Sequence, residues 1–560
     1  MGTWQKSTAF GVMCGALVLV SACSNSGSGS KDGQSASPSS SASAAPSDAA
    51  KKVVELTTVR SNPSDIKWDP GESMDKNSVY DAYEKDLGVR IKNLWVADSK
   101  QFTQKLNMMI ASNDIPDFFS VTDQMQLQQL IDSDMIMDIS AVFDKYATPE
   151  TKAWFTKDGG NQMKSAKSGG KLMAIPLADS PYNSSHYLWV RKDWLKKLNL
   201  PEPKTMQDLL KIAEEFTKQN PGGGAGKSFG MTLNKDLYGT YGLTGFFNGY
   251  HAYPQTWQKD ANGKLVYGSI QPQMKSALKQ LQDMYKAGQI DPEFGTKDVD
   301  KENELVAGNQ IGIAYGEFWL SAWPLEKAAI KDGKQAQDWE VYGLPSIDGT
   351  PAKSQVGLGA NGYVVISKKC KNPEAVIQIL NQWVKISSNG ITDERNLYMN
   401  GKGLKDTGNL YFKINPIRLF SQDGNVQAGA VLPKAIEAKD KSLLKGDPDW
   451  TNRYETSMRY QNGDVTGWLN WMIAKPGGSF SIMNQYLLEK RYQSDEFFGA
   501  PTVTMQDKKS ILDAKEKETF TKIIMGQVSI DEFDKFVADW KSLGGEKITQ
   551  EVNDWFAKQK

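Results

Sequence analysis

Two prolines apart, residues 24–50 carry no apolar side chain larger than alanine. The stretch SNSGSGSKDGQSASPSSSASAAPSDAA is Ser, Gly, Ala and Pro with a few polar residues, and it has nothing from which to build a core. Whatever folds must therefore lie in residues 51–560. As a flexible coil the stretch spans on the order of 30 Å root-mean-square. Ahead of it, Ala9 to Val20 is an apolar run, shorter than the about 20 residues that a membrane-spanning helix needs. Lys6 gives it a thin positive flank, as in a secretory signal. The body that follows exceeds one ordinary hydrophobic core, so two or more lobes are expected.

The apolar run ends in Val20-Ser21-Ala22-Cys23. Small residues before a cysteine resemble the lipobox of bacterial lipoproteins, which implies cleavage after Ala22 and acylation of Cys23. Residues 1–22 are then a signal peptide and 23–50 a tether. The body would sit on the extracellular face of the cell membrane, or on the periplasmic side in a Gram-negative host, held by lipid alone. The cysteines are Cys14, Cys23 and Cys370. Processing removes the first and lipid caps the second, so no disulfide is expected within the exported body. Lys+Arg and Asp+Glu balance at 66 each, with a pI near 6.8. This gives no footing for nucleic acid. Against a mean hydropathy of −0.51 the chain holds 16 Trp, 20 Tyr and 21 Phe. That surplus leaves room for a flat-faced cleft after the core is filled.

Along the body, VVELTTVR (Val53 to Arg60) and GVRIKNLWV (Gly88 to Val96) read as strands around a helix from Asn77 to Leu87. Phe102 to Ile110 is amphipathic, and IPDFFSV is a short apolar run. KLMAIPLAD and YLWVRKDWL form a further strand-like pair. Thr205 with Asp208 three residues on can cap a helix whose Leu209, Ile212, Ala213 and Phe216 share a face. Gln273 to Ala287 is helical, QIGIAYG and NGYVVIS are strands, and Asn372-Pro373-Glu374 opens the helix AVIQILNQWV. Alternation of this kind predicts an α/β body with a mostly parallel sheet.

Two catalytic signatures are nearly matched and rejected. PGGGAGKS has Pro221 where a phosphate-binding loop needs glycine. It also follows a helix rather than a strand. Gly226-Lys227-Ser228-Phe229-Gly230 fits G-x-S-x-G, yet it precedes its strand, and only His251 follows. With His186 and His251 the chain's two histidines, histidine-rich metal chemistry is disfavoured. No catalytic residue, metal or cofactor is expected.

Several segments, taken in order, resemble bacterial extracellular solute-binding proteins for sugars, of the maltodextrin-binding type. FTQKLNMMIASNDIPDFFSVTDQ is similar to the family's helix-then-strand region. GKLMAIPLADSPYNSSHYLWVRKDWLKKL is similar to its first crossover between lobes, and QVGLGANGYVVISKKCKNPEAVIQILNQWV to its return crossover. QIGIAYGEFWLSAW resembles the strand end that carries an aromatic into the cleft. The closing FFGAPTVTMQDKKSILDAKEKETFTKIIMGQ looks like the tail of the larger lipoprotein branch near the alginate-oligosaccharide binders. The resemblance implies a two-lobe α/β periplasmic-binding-protein-like fold of type II with hinge crossovers. Lobe 1 would hold residues 51–174 and 355–440, and lobe 2 residues 175–354 and 441–560. It also implies a monomer that closes on an oligosaccharide and delivers it to the permease subunits of an ABC importer. Relatives in this branch carry an acidic calcium loop after the helix that Thr205 caps. Here KQNPGGGAGKSFG offers no carboxylate from Lys218 to Gly230, so that site is expected to be absent.

Sugars need flat apolar faces for their rings and planar polar groups for their hydroxyls. Trp319 and Trp323 lie at and beyond a strand end, where open α/β sheets place ligands. Asp123 and Gln124 follow IPDFFSV, where the family's polar sugar contacts lie. Trp68 sits in the loop after the first strand, and Tyr182 follows the first crossover. Phe247, Tyr250 and Trp257 suggest a stacking surface in the second lobe. Glu317 is read as an acceptor for sugar hydroxyls. Two carboxylates suffice for glycoside hydrolysis, so Glu317 is also the residue on which a polysaccharide-degrading enzyme would be tested. A glycan-binding adhesin is the other alternative. Trp468 and Trp471, three apart on one helical face, are assigned to the core.

Overall fold

The computed structural model describes residues 53–559 apart from 224–225, 389–391 and 404–408. The expected signal peptide, Cys23 and the expected tether lie outside the described residues. In chain order the strands of the main sheets, two in the first lobe and one in the second, are β1 (Val54–Asn62), β2 (Val89–Asp98), β3 (Phe118–Val121), β4 (Ile175–Ala178), β5 (His186–Arg191), β6 (Phe229–Met231), β7 (Ile311–Glu317), β8 (Trp339–Tyr342) and β9 (Ala360–Ile366). β1 and β2 pair in parallel around the helix Ser78–Leu87. That helix starts where Asn77 accepts the Tyr80 amide at 2.9 Å and stops at Gly88, whose φ of 70° only glycine adopts readily. β3, β9 and β4 form a three-stranded sheet in that order. The Asp117 carboxylate joins it to β1 through the Thr57 amide and hydroxyl, at 2.8 and 2.6 Å.

The second lobe's sheet has the order β8-β5-β7-β6. All six residues of β5 are buried, as a strand covered on both faces requires. Thr205 and Asp208 form the expected capping box on the helix Met206–Gln219, and its Leu209, Ile212, Ala213 and Phe216 are buried. The expectation of mostly parallel sheets is corrected. β9 runs antiparallel to both β3 and β4, and β5 runs antiparallel to both β7 and β8. The reason lies in the connections. β4 leads directly across into β5, and Ser354–Val356 leads back into β9. A strand that enters a sheet from the crossing point runs against its neighbours.

Two bodies of core result. Leu56, Phe118, Ile175, Val364, Trp383 and Ile417 belong to the first. Leu188, Phe216, Leu281, Ile313 and Phe520 belong to the second. Further clusters around Trp339 and Trp468 and around Leu432 and Phe480 extend the second side. The helix Gly424–Ala438, expected in lobe 1, instead packs against Ser479–Leu488 and Pro448–Gln461. Its Leu432 and Ile436 share a cluster with Phe480 and Ile473. The first lobe's late segment therefore ends near Phe420, and the chain crosses a third time at residues 420–424. Among the described residues, no helix is long and apolar enough to cross a membrane.

Candidate functional site

The three crossings meet at Gln162, a fully buried residue. Its Nε2 reaches the carbonyls of Asp179 at 3.0 Å, Leu358 at 3.2 Å and Gly359 at 2.8 Å. Its Oε1 accepts from Gln422 Nε2 at 2.8 Å. One amide thus joins the first, second and third crossing. Gly359 has a φ of +75°, and a Cβ there would fall 2.7 Å from the Asp179 carbonyl, so the backbones approach as closely as they do only without a side chain.

A second polar layer lies beside the first. Asp179 accepts from the Ser180 amide at 2.7 Å, Asn183 Nδ2 at 2.8 Å and Asn361 Nδ2 at 2.8 Å. Asn183 in turn accepts from Asn425 at 2.8 Å. Burial holds the Asp179 carboxyl above its ordinary range, although these donors pull it down. Asn183 and Asn425 are half-buried and Asn361 is exposed. This floor of planar amides and a carboxylate can exchange hydrogen bonds with hydroxyls. Sequence reasoning missed it and Gln162 alike. The asparagines stand singly, and their meeting depends on contacts up to 242 residues apart.

The wall on the second lobe is the end of β7. Glu317 pairs in register with His186. Glu317 Oε2 and His186 Nε2 are both sealed from solvent without a partner, and so is Ser321 Oγ nearby in the chain. Orphaned buried polar atoms are costly, and these three stand on adjoining segments at the end of β7. Trp319 is half-buried and stacks on Trp323 with ring centroids 6.2 Å apart and planes 29° apart. Trp323 is 42% exposed.

The remaining expected residues divide. Trp68 is half-buried against the first core, edge-on to Tyr411 at 5.8 Å. Tyr182 is half-buried and tilted on Tyr492 at 4.6 Å. Asp123 is exposed and caps the helix Gln124–Asp132, accepting the Gln126 amide at 2.9 Å. Gln124 reaches the Phe498 carbonyl at 3.3 Å, so it touches the second lobe's late segment. Asp123, Gln124 and Trp257 line one cavity of ≈ 240 Å³, with Gln255, Asp495 and Trp540 among its other walls. Trp257 itself is 5% exposed. Phe247 and Tyr250 are corrected to core. Phe247 is fully enclosed, and Tyr250 is buried and stacked on Phe246 at 5.2 Å. Trp468 is buried and Trp471 half-buried. A wider open depression of ≈ 640 Å³ lies by Tyr460 and Trp471. It includes none of the expected ligand residues and neither of the polar layers, so the chemistry argues for the crossings.

The catalytic near-matches do not assemble. Ser228 is buried ahead of β6, its hydroxyl donating to Asn220 Oδ1 at 2.6 Å. His251 faces Asp348 at 3.1 Å and Ser346 at 3.3 Å, both through Nε2. A triad needs the two ring nitrogens separately. In the glycine loop, the carbonyl of Pro221 accepts Lys197 Nζ at 2.7 Å. Those of Gly222 and Lys227 accept Asn309 and Gln310 side-chain amides at 2.6 and 3.1 Å. Oxygens that a cation would use are thus engaged by nitrogen donors.

The chain is 23% identical to the polygalacturonan/rhamnogalacturonan-binding protein YtcQ of Bacillus subtilis, over 87% of this chain and 89% of that one. It is 21% identical to lipoprotein LipO of the same organism, over 88% of this chain and 91% of that one. Among solved structures it resembles an EF-hand mutant of the Streptococcus pneumoniae ABC-transporter substrate-binding protein FusA in complex with fructo-nystose. The TM-score is 0.62 at 17% identity, over 90% of this chain and 99% of that one. The fold is that of two-lobe solute-binding proteins. Residues 72–383, more than half of the chain, match the family model described as bacterial extracellular solute-binding protein, and this chain is a member of that family.

Proposed function

We propose that the protein captures an oligosaccharide between its lobes and hands it to the permease subunits of an ABC importer, acting as a monomer held to the membrane through lipid on Cys23. The single observation that carries the reading is the polar floor. Asp179, Asn183, Asn361 and Asn425 come from three separate crossings and are joined where the lobes meet. The stacked Trp319–Trp323 pair, with Trp323 exposed, suits a ring face. Lobe 1 then comprises residues 53–178 and 360–420, and lobe 2 the rest of the described body. The polygalacturonan-binding relative, the lipoprotein relative and the fructo-nystose complex support the sugar and the anchor. Binding without chemistry is part of the reading.

A glycan panel read by thermal shift tests it. A ligand at 100 times its dissociation constant adds about 2.7 kcal/mol of stability, so one or more oligosaccharides should raise the melting temperature by several degrees. No reducing ends should appear when the same sugar is incubated with the protein. Shortened products would point to an enzyme, and a panel without any shift would remove the sugar reading.

A further inference from the structure

The segment after Asn415 crosses the ends of the first lobe's strands. Arg60 of β1 donates from Nη2 to three successive carbonyls, Lys413, Ile414 and Asn415, each at 3.0 Å. Farther on, the Phe420 amide donates to the carbonyl of Ala178, the last residue of β4, at 2.8 Å. Arg418 lies between these two anchors. Burial alternates along the segment. Ile417 and Leu419 are fully enclosed in the first core, whereas Arg418 is half-buried and Phe420 is 40% exposed. Arg418 and Phe420 therefore leave the core on the same side, at the carboxyl ends of β1 and β4, where α/β sheets bind ligands.

Arg418 makes no hydrogen bond, ion pair or ring contact with any described residue. Other enclosed arginines are matched. Arg191 pairs with Asp193 at 2.7 Å and with Asn309 at 2.6 Å, and Arg453 reaches Asn470 at 3.0 Å. Nor is Arg418 sealed away, since none of its nitrogens is among the solvent-excluded orphans. Burial pushes its guanidinium down to about 10, and the charge that adds to this is a second cation, Arg60. A partly desolvated cation facing a like charge is costly unless an anion or water completes it. A carboxylate matches the planar fork with two parallel acceptors, and an exposed phenyl face beside it suits the flat C–H face of a pyranose.

We infer that Arg418 recognises a carboxylate carried on the sugar ring, so that the ligand class is an acidic, uronate-containing oligosaccharide. This rests on the reading of the cleft as an oligosaccharide site. Charge balance across the whole chain hides the feature, because one unmatched arginine leaves no trace in composition.

Calorimetry tests the inference with tri- and tetragalacturonate, an oligoalginate, and carboxyl-reduced versions of the same oligomers, which keep linkage and length but lose the charge. A uronate oligomer should bind about ten- to a hundredfold tighter than its reduced counterpart. Arg418→Gln should abolish that preference while leaving the melting temperature of the free protein unchanged or raised. Arg418→Lys should retain part of it, as a point charge without the fork. Equal affinity for charged and reduced oligomers, or full discrimination in a folded Arg418→Gln protein, overturns the assignment. If neutral malto- or fructo-oligosaccharides bind and no uronate does, the acidic class fails and the capture reading stands. If no glycan of either kind binds, both fail together.

Discussion

Trp319 and Trp189 show how differently two tryptophans can serve. Trp189 is fully buried in β5, and truncating such a residue costs roughly 3–5 kcal/mol of folding free energy. Trp319 is half-buried with a ring already paired to Trp323. Trp319→Ala should weaken sugar binding by about 2 kcal/mol or more, as anchoring aromatics do, and lower stability by less than a core truncation. Calorimetry and melts on the same sample separate the two effects. Full affinity with a severe loss of stability would move Trp319 into the core. Glu516 makes a pH-dependent case. It is fully buried, accepts from Tyr238 at 2.6 Å and Tyr267 at 3.3 Å, and burial pushes its carboxyl up to about 7 from an ordinary 4.5. Between those values the unfolded chain has released this proton and the folded one keeps it. Its contribution to stability therefore falls as pH rises through about 4.5 to 7, by at most about 3 kcal/mol, and is level above. Glu516→Gln keeps an acceptor and removes the titration. The variant should gain on the parent between pH 4.5 and pH 8 in thermal melts; a difference that does not change with pH would contradict the account.

The elements that join the lobes depend on very few side chains. Replacing Gln162 by Leu would take the donor from the half-buried carbonyls of Asp179 and Leu358 and the acceptor from the buried Gln422 amide, while the Gly359 carbonyl keeps the Asp179 amide at 2.7 Å. Each buried group so orphaned costs about 1–3 kcal/mol, so a drop of about 2 kcal/mol or more in chemical denaturation is expected. An unchanged midpoint would show that the crossings do not need this amide. The glycine loop makes the opposite prediction. Its carbonyls are held by Lys197, Asn309 and Gln310, so EDTA should leave the melting temperature unaltered. A loss of several degrees restored by calcium would place a cation elsewhere. Elements governed by local rules were legible in the sequence. The capping box at Thr205 and the apolar face behind it need only residues a few places apart. Strand direction was not legible, because it follows from which lobe the chain has just left. The helix Gly424–Ala438 was misassigned for the same reason. Its apolar residues announce burial, not the partner against which they are buried. Phe247 and Tyr250 were placed in a cleft because aromatic content does not distinguish a binding face from a core. The polar floor was missed because isolated asparagines carry no periodicity.

At the scale of the whole molecule, few contacts oppose movement of one lobe against the other. Lys100 and Asp300 meet across the lobes at 3.1 Å and Arg395 and Asp449 at 3.0 Å, the acid of each pair being exposed, and such surface pairs contribute about 0–1 kcal/mol. Gln124 adds one long hydrogen bond to the Phe498 carbonyl, at 3.3 Å. The crossings, by contrast, are densely bonded through Gln162 and Asp179. A stiff pivot with weakly held rims suits closure driven by ligand. Small-angle scattering of the body with and without a saturating oligosaccharide from the glycan panel tests this most directly. The account predicts a smaller radius of gyration with sugar, and a return to the free value when the sugar is removed. A sugar that binds while the radius stays unchanged would contradict capture between the lobes.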